Sequence, residues 1–215
     1  MSSTYHTGVI RKQKIGRKLK DKRSVSMKHK NPMKFENEKR LKELDIINSL
    51  KKAGINENDA ICDYGAGTGV FTLEASKLTK GMVYALDIDP SMLNIIKEKA
   101  KDVHNIQTIQ VEEDKINLES KSIDLFIIVT VIHEIKEVPG FIKEVRRVLK
   151  PFGRVLVIDF HKKDTPMGPP ANHRMSEYQT ARHFFREDIV MKKQCNLGEN
   201  LYLLLMEKEV SRYKK

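Results

Sequence analysis

Residues 35–215 alternate between two patterns of apolar and polar positions. Short runs in which nearly every residue is apolar indicate strands that are buried on both faces. Between these runs, apolar residues recur every three or four positions, which is typical of helices with one buried face. The predicted strands are 60–64, 82–87, 105–111, 123–132, 154–160, 189–197 and 201–207.

Five helices are predicted before and between these strands. The first ends at Gly54, the third opens at Pro90 and the fourth is ended by Pro151. Ser176 and Gln179 have the spacing of a capping box at the start of the fifth. The residues expected on the buried faces of the first four helices are Leu41, Leu44, Ile47 and Leu50; Phe71, Ala75 and Leu78; Met92, Ile95, Ile96 and Ala100; and Phe141, Ile142, Val145, Val148 and Leu149.

This order of elements predicts an α/β fold with a doubly wound, mostly parallel seven-stranded sheet and helices on both faces. The last two strands are separated only by residues 198–200, which leaves no room for a crossover helix. They must therefore form a C-terminal antiparallel hairpin. That ending differs from the ordinary dinucleotide-binding layout.

The net charge of +11 is confined to the start of the 215-residue chain. Residues 1–34 contain 11 Lys or Arg and one acid, Asp21, whereas residues 35–215 contain 29 basic and 28 acidic residues. Because residues 1–34 include few apolar positions, we interpret them as a flexible basic arm ahead of a folded domain at 35–215. Three roles stay open for the arm: a solvated tail, contact with RNA or another polyanion through residues 8–34, and a targeting presequence.

Other features of the composition narrow the class of protein. No apolar run approaches the roughly 18–20 residues of a membrane span, and the start lacks an apolar segment suited to a secretory signal. The two cysteines, Cys62 and Cys195, provide neither a disulfide framework nor a CxxC metal pair. We therefore expect a cytoplasmic protein, with Cys62 as a small core residue.

The turn after the first strand is rich in glycine and reads DYGAGTG over residues 63–69. In a doubly wound sheet, ligands lie where this turn enters its helix, and glycine lets the backbone approach them closely. A GxGxxG dinucleotide loop would require Gly or Ala at the position of Val70. The carboxylate of Asp63 would also repel a pyrophosphate, whereas it suits a ligand that carries an ammonium group.

Five segments follow one another along the chain: DYGAGTG, ALDIDPSML, EEDKINL, SIDLFIIVTVIHEI and EVRRVLKPFGRVLVIDF. In this order they resemble the class I S-adenosylmethionine-dependent methyltransferases, and the resemblance covers residues 35–215. It is closest to the small-molecule branch that includes the ubiquinone/menaquinone C-methyltransferases. The resemblance implies a Rossmann-like methyltransferase fold, S-adenosylmethionine as cofactor with S-adenosylhomocysteine as product, no metal, and an unidentified small-molecule acceptor.

The same resemblance assigns a role to the glycines and acids of the first two segments. Gly65, Gly67 and Gly69 would admit the methionine portion of the cofactor close to the backbone. Asp63 would direct the field of the loop toward the cationic end of the cofactor, or else would simply cap the turn. Asp87 would accept both ribose hydroxyls, since a carboxylate is a bidentate acceptor, unless it caps the next helix.

Adenine contacts are assigned to two further positions. Ile88 would form an apolar wall for the ring. Asp114 would accept from the adenine amino group, with Glu113 as the nearest competitor and an exposed acid as the alternative.

His133 and Glu134 are predicted to close the fourth strand, facing the expected acceptor. The sequence HEIKE differs from HExxH, which excludes a zinc-protease site. Methyl transfer from a sulfonium depends mainly on alignment, and a base is needed only when the acceptor must lose a proton. His133 is therefore a candidate catalytic base, with a hydrogen-bonded structural histidine as the alternative. No Asp/Asn-Pro-Pro-aromatic signature follows, which argues against methylation of base or glutamine amino groups.

The segment 161–175 is too long for a simple connector. His161, His173 and Arg174 give it polar groups that could wall the acceptor site, and its three prolines also suit a rigid surface connector. Two other functions stay open for the whole chain. One is an RNA methyltransferase that holds its substrate with the basic arm, and the other is a cofactor-binding module without catalysis.

Overall fold

The computed structural model describes Met1, residues 36–112 and residues 115–210. The chain divides into the units Met1–Lys30 and Asn31–Lys215, and the elements below belong to the second. The strands are Ile61–Tyr64 (β1), Val83–Asp87 (β2), Ile106–Gln110 (β3), Ile123–Val129 (β4), Leu149–Phe160 (β5), Ile189–Leu197 (β6) and Leu201–Lys208 (β7). The α-helices are Glu38–Leu44 (α1), Ile46–Ala53 (α2), Val70–Ser76 (α3), Pro90–Lys99 (α4), Val138–Val148 (α5) and Glu177–Phe185 (α6). The predicted arm, 1–34, lies outside the described residues apart from Met1, and its boundary stays a prediction.

The strands form one sheet in the order β3-β2-β1-β4-β5-β7-β6. The pairs among β1 to β5 are parallel, and β7 is antiparallel to both β5 and β6. The predicted fold class and the C-terminal hairpin are therefore confirmed. Strand order reverses between β1 and β4, and a crevice at the carboxyl ends of strands at such a reversal is where ligands of open α/β sheets bind.

The leading helix consists of two helices rather than the single one predicted. α1 ends and α2 begins at Asp45, which adopts a left-handed conformation with φ of 42°. The change of direction leaves Ile47 43% exposed, so its placement on the buried face was wrong, whereas Leu44 and Leu50 are fully buried. Gly54 ends α2 as predicted, also in the left-handed region.

The end of α5 also differs from the prediction. The helix stops at Val148, and β5 begins at once, so Pro151 lies within a strand. The register of β5 against β4 shifts in this stretch, which is the kind of irregularity that tolerates proline in a sheet. The predicted capping box of α6 is confirmed, because Ser176 and Gln179 each accept from the other's backbone N–H.

The core covers both faces of the sheet, as β7 shows. Tyr202 and Leu204 pack with Phe126 and Phe141 in one buried cluster, whereas Leu203 belongs to another. Alternate residues of a strand point to opposite faces, so the two clusters lie on opposite sides. Each large apolar side chain that is fully buried contributes about 1.5–3 kcal/mol, and packing on both faces holds the carboxyl ends of the strands in fixed positions.

Candidate active site

The glycine-rich loop joins β1 to α3 at the carboxyl edge of the sheet. Gly65, Gly67 and Gly69 all have positive φ, at 70°, 54° and 83°. A Cβ at Gly65 would lie 2.4 Å from Val131, and one at Gly69 would lie 2.7 Å from Ile96. At Gly67, a Cβ would meet no atom of the described residues within 4 Å. Two of the glycines thus serve close packing, and only Gly67 presents its backbone to open space.

Asp87 is the last residue of β2 and joins that strand to the loop. Its Oδ2 accepts from the backbone N–H of Gly67 at 2.8 Å, and its Oδ1 accepts from that of Asp89 at 2.9 Å. The cap of α4 is Asp89, which accepts from Ser91, so Asp87 is not the helix cap. A carboxylate has about four acceptor positions, and these two bonds do not by themselves exhaust them.

Asp63 lies beneath the loop, within β1, and is only 2% exposed. Its Oδ2 accepts from the hydroxyl of Thr72 on α3 at 2.6 Å, so it ties the strand to the helix. Burial raises the pKa of Asp63 to about 6; the hydrogen bond from Thr72 opposes this shift and the charge of Asp87 adds to it. Near neutral pH the site therefore holds a second carboxylate, out of contact with solvent.

Ile88 follows Asp87 and is 37% exposed. The side chain of Gln110 approaches its carbonyl oxygen at 3.4 Å. A depression of about 360 Å³ lies beyond the end of β3 and is lined by Gln110, Val111, Glu112, Lys115 and Asn117. Asp114 and Glu113 lie outside the described residues, so their predicted contact with adenine stays a prediction.

The chain turns sharply where β4 ends. Thr130 has φ of 54°, a conformation that is strained for a β-branched residue and costs on the order of 1–3 kcal/mol. Two hydrogen bonds hold it there: its N–H donates to Ile158 at 2.7 Å, and its Oγ1 accepts from Arg40 at 2.9 Å. His133 lies beyond this turn in a 3-10 helix, Ile132–Glu134, and does not close the strand as predicted.

His133 pairs with a carboxylate that the sequence reasoning missed. Its Nδ1 lies 2.7 Å from Oδ1 and 3.0 Å from Oδ2 of Asp159, the penultimate residue of β5. The side chains of His133 and Asp159 are 8% and 1% exposed. The sequence did contain a signal for this pair. Asp159 is an isolated acid at the end of the apolar run RVLVIDF, and a buried acid requires a hydrogen-bonding partner.

The loop 161–175 is held together by Arg174, which is 4% exposed. Its guanidinium donates to the carbonyl oxygens of His161 and Lys163 at 3.0 and 2.8 Å. Arg174 was predicted to offer a polar group to the wall of the acceptor site. Because its guanidinium is buried against backbone carbonyls of its own loop, this prediction was wrong. His161 is buried against Glu177, whereas His173 is exposed. These contacts favour the rigid connector, and contact of the loop with substrate stays a prediction.

Residues 36–112 and 115–210 contain neither a membrane-spanning helix nor a cluster of metal-binding side chains. No helix in these ranges combines the length and the apolar character required to cross a bilayer. The same ranges contain no group of three or more His, Cys, Asp or Glu side chains that could hold a metal ion. The expectation of a metal-free site stays a prediction.

Known proteins similar to this chain share its middle portion. Residues 62–157 match a family model described as a methyltransferase domain. The chain is 33% identical over 112 residues to a demethylmenaquinone methyltransferase of Tropheryma whipplei, covering 52% of this chain and 46% of the relative. It is 29% identical over 137 residues to the ubiquinone/menaquinone biosynthesis C-methyltransferase UbiE of Vibrio vulnificus, covering 55% and 53%. The chain thus spans about half the length of the curated relatives it matches.

Solved structures match over more of the chain. A SAM-dependent methyltransferase from Aquifex aeolicus has a TM-score of 0.76 and 28% identity, covering 83% of this chain and 98% of that one. A putative type 11 methyltransferase from Sulfolobus solfataricus has a TM-score of 0.63 and 28% identity, covering 73% and 87%. In its five ordered sequence segments, its sheet order and these matches, the chain is similar to the class I S-adenosylmethionine-dependent methyltransferases.

Proposed function

We propose that this protein transfers a methyl group from S-adenosylmethionine to a small-molecule acceptor. The observation that carries the proposal is the junction of Gly67 and Asp87. At the point where strand order reverses, a backbone face open to solvent lies one hydrogen bond of 2.8 Å from a carboxylate. A nucleoside with two adjacent hydroxyls suits this combination, because the carboxylate can accept from both and the loop offers no side chain to obstruct it.

The charges of the residues around the junction support the same cofactor. Asp87 would accept from the ribose hydroxyls, and Ile88 would contact the adenine ring. Asp63 would act through its field, because it is buried and bonded to Thr72 rather than facing the loop surface. Two carboxylates near one loop favour a ligand that carries two cationic groups, the ammonium and the sulfonium of S-adenosylmethionine. When bound, S-adenosylmethionine supplies an electrophilic methyl group on that sulfonium.

The acceptor would lie beyond the end of β4, over the 3-10 helix that carries His133. Val131 packs against Gly65, so this turn adjoins the glycine-rich loop directly. The names of two relatives refer to demethylmenaquinone and to ubiquinone/menaquinone biosynthesis, which supports a small-molecule acceptor. The cytoplasmic location and the contact of residues 8–34 with RNA stay predictions.

One experiment tests the proposal and identifies the acceptor. The full chain is incubated with a cell extract and S-adenosylmethionine that carries a labelled methyl group. We expect label in a fraction that is lost on dialysis, which indicates a small molecule. Label lost to ribonuclease would identify an RNA methyltransferase instead. Binding of S-adenosylhomocysteine without any transfer of label would indicate a binding module and would contradict the proposal.

A further inference from the structure

We infer that Asp159 is a positioning residue that holds His133 with its Nε2 toward the acceptor, and that this pair selects an acceptor whose reacting atom must lose a proton. The acceptor class is an O–H or C–H acid that must ionise before it is methylated, such as a phenol. This inference rests on the proposed methyl transfer and deepens it.

Two backbone N–H groups and the Nδ1 atom of His133 converge on the carboxylate of Asp159. The backbone N–H groups of His133 and Phe160 donate at 3.3 and 2.7 Å, and Nδ1 lies 2.7 Å from Oδ1. An ionised carboxylate can only accept hydrogen bonds. The hydrogen of a neutral His133 ring must therefore lie on Nδ1, which leaves the lone pair on Nε2. The contact of Nδ1 with Asp159 sets the tautomer of the ring. The hydrogen bond from the His133 backbone N–H to the same carboxylate also holds the residue in place.

The location of the pair argues against a purely structural role. Burying a carboxylate and an imidazole costs free energy that a pair of apolar side chains would avoid. The pair also lies directly beyond Thr130, whose left-handed backbone is strained. Strain and buried charge tend to coincide at functional sites, because stability alone does not favour either. Here both occur at the carboxyl edge of the sheet, beside the glycine-rich loop.

Charged groups of both signs lie around the His133 ring among the described residues. Asp159 faces Nδ1, and the carboxylate of Glu134 lies 4.0 Å from Nε2. Arg40 of α1 is a cation nearby: it donates to Thr130 and interacts electrostatically with Asp159. Burial raises the pKa of the Tyr202 phenol, so this neighbour on β7 stays neutral. Asp159 is thus the charged group in direct contact with Nδ1, and Nε2 has no neighbour this close among these groups.

The reaction balances without a further reagent. Nε2 of His133 takes the proton of the acceptor O–H or C–H, and the electron pair of that bond stays on the acceptor. That pair forms the new bond to the methyl carbon, while the electrons of the carbon–sulfur bond remain on sulfur in S-adenosylhomocysteine. The imidazolium then returns its proton to solvent. An aromatic amine is neutral near neutral pH and already has a lone pair, and an aromatic thiol ionises there, so neither of these acceptors needs this pair.

The positioning role is tested first without cofactor or turnover. Full-length protein labelled with ¹⁵N-histidine is studied by nitrogen–proton correlation NMR, and His133→Gln identifies the resonances. We expect a protonated Nδ1 and an unprotonated Nε2 near neutral pH. Asp159→Asn should move the ring hydrogen from Nδ1 toward Nε2, whereas Asp164→Asn, at an exposed position, should leave the tautomer unchanged. A hydrogen on Nε2 in the wild type, or an unchanged ring in folded Asp159→Asn, would overturn the role.

The acceptor class is tested by turnover of 1-naphthol beside aniline and thiophenol. We expect methylation of the naphthol, and a fall in kcat of at least about 100-fold in Asp159→Asn with little change in the KM for S-adenosylmethionine. The loss should shrink at high pH, where solvent ionises the naphthol, and Asp159→Glu should recover part of the rate. An equal loss at every pH, or methylation of aniline or thiophenol alone, would overturn the acceptor class. Wild type that binds S-adenosylhomocysteine but methylates none of the three compounds would also contradict the acceptor class. In that case the extract experiment still tests the proposed methyl transfer. The NMR experiment tests the role of Asp159 independently of both.

Discussion

Replacing Asp63 by Asn should stabilise the protein increasingly as pH rises. Asp63 is 2% exposed, and its partner is the hydroxyl of Thr72. Asn keeps an oxygen that can accept this bond but has no charge to bury. The spare amide hydrogens of Asn would cost a free energy that does not depend on pH. The pH dependence of the stability difference therefore isolates the ionisation of Asp63.

The magnitude follows from the two states of the carboxyl. Its pKa is 3.8 as an ordinary group and about 6 in the fold, because burial outweighs the bond from Thr72. Since the folded pKa is the higher one, the stability linked to the protonated form is complete below 3.8 and is lost as pH rises through about 6. The linkage predicts a loss of about 3 kcal/mol near pH 8, roughly half of which is already present near pH 5.

Denaturant unfolding of both proteins between about pH 5 and pH 8 measures this difference. The free energy of unfolding of Asp63→Asn should gain about 1.5 kcal/mol on that of the wild type over this range. Asp164→Asn, an exposed carboxylate in the loop after β5, should follow the wild type throughout. If the difference in free energy of unfolding between Asp63→Asn and the wild type stays constant or decreases as pH rises, Asp63 ionises in the fold without an energetic cost. That result would contradict the effect of burial on its pKa.

Asp87→Ala should weaken S-adenosylhomocysteine binding by about 2–3 kcal/mol, the scale for hydrogen bonds to a charged group. Calorimetry on the folded variant, beside Asp164→Ala, checks this, and unchanged affinity would remove Asp87 from the site. S-adenosylmethionine should raise the melting temperature and NAD should not, because Val70 occupies the third glycine position of a dinucleotide loop; saturable stabilisation by NAD would contradict this. A chain beginning at Met33 should still bind S-adenosylmethionine but lose RNA binding, which in the full chain should fall with salt by a logarithmic slope of about 0.7 per phosphate contact. Undiminished RNA binding by the shorter chain would place the contact outside the arm.

The sequence by itself determined the order of elements, the parallel sheet with its antiparallel ending and the position of the glycine-rich turn. These features depend on local patterns: apolar runs, helical spacing, and a connection of three residues between β6 and β7 that permits only a hairpin. Asp63 and Asp87 could be singled out for a related reason, since each lies at or near the end of an apolar strand. Even the capping box of α6 was predictable, because its two partners are three residues apart.

Only the tertiary structure decided which distant side chains meet. His133 and Asp159 are 26 residues apart in sequence, and Arg40 and Thr130 are 90 apart. The parallel pairing of β4 with β5 and the break between α1 and α2 bring them together, and neither the register nor the break follows from hydrophobic periodicity. Tertiary packing also decided which of the three glycines face open space. Gly65 and Gly69 are confined by Val131 and Ile96, which belong to other parts of the chain. Long-range contacts arise from packing, which a local pattern cannot specify.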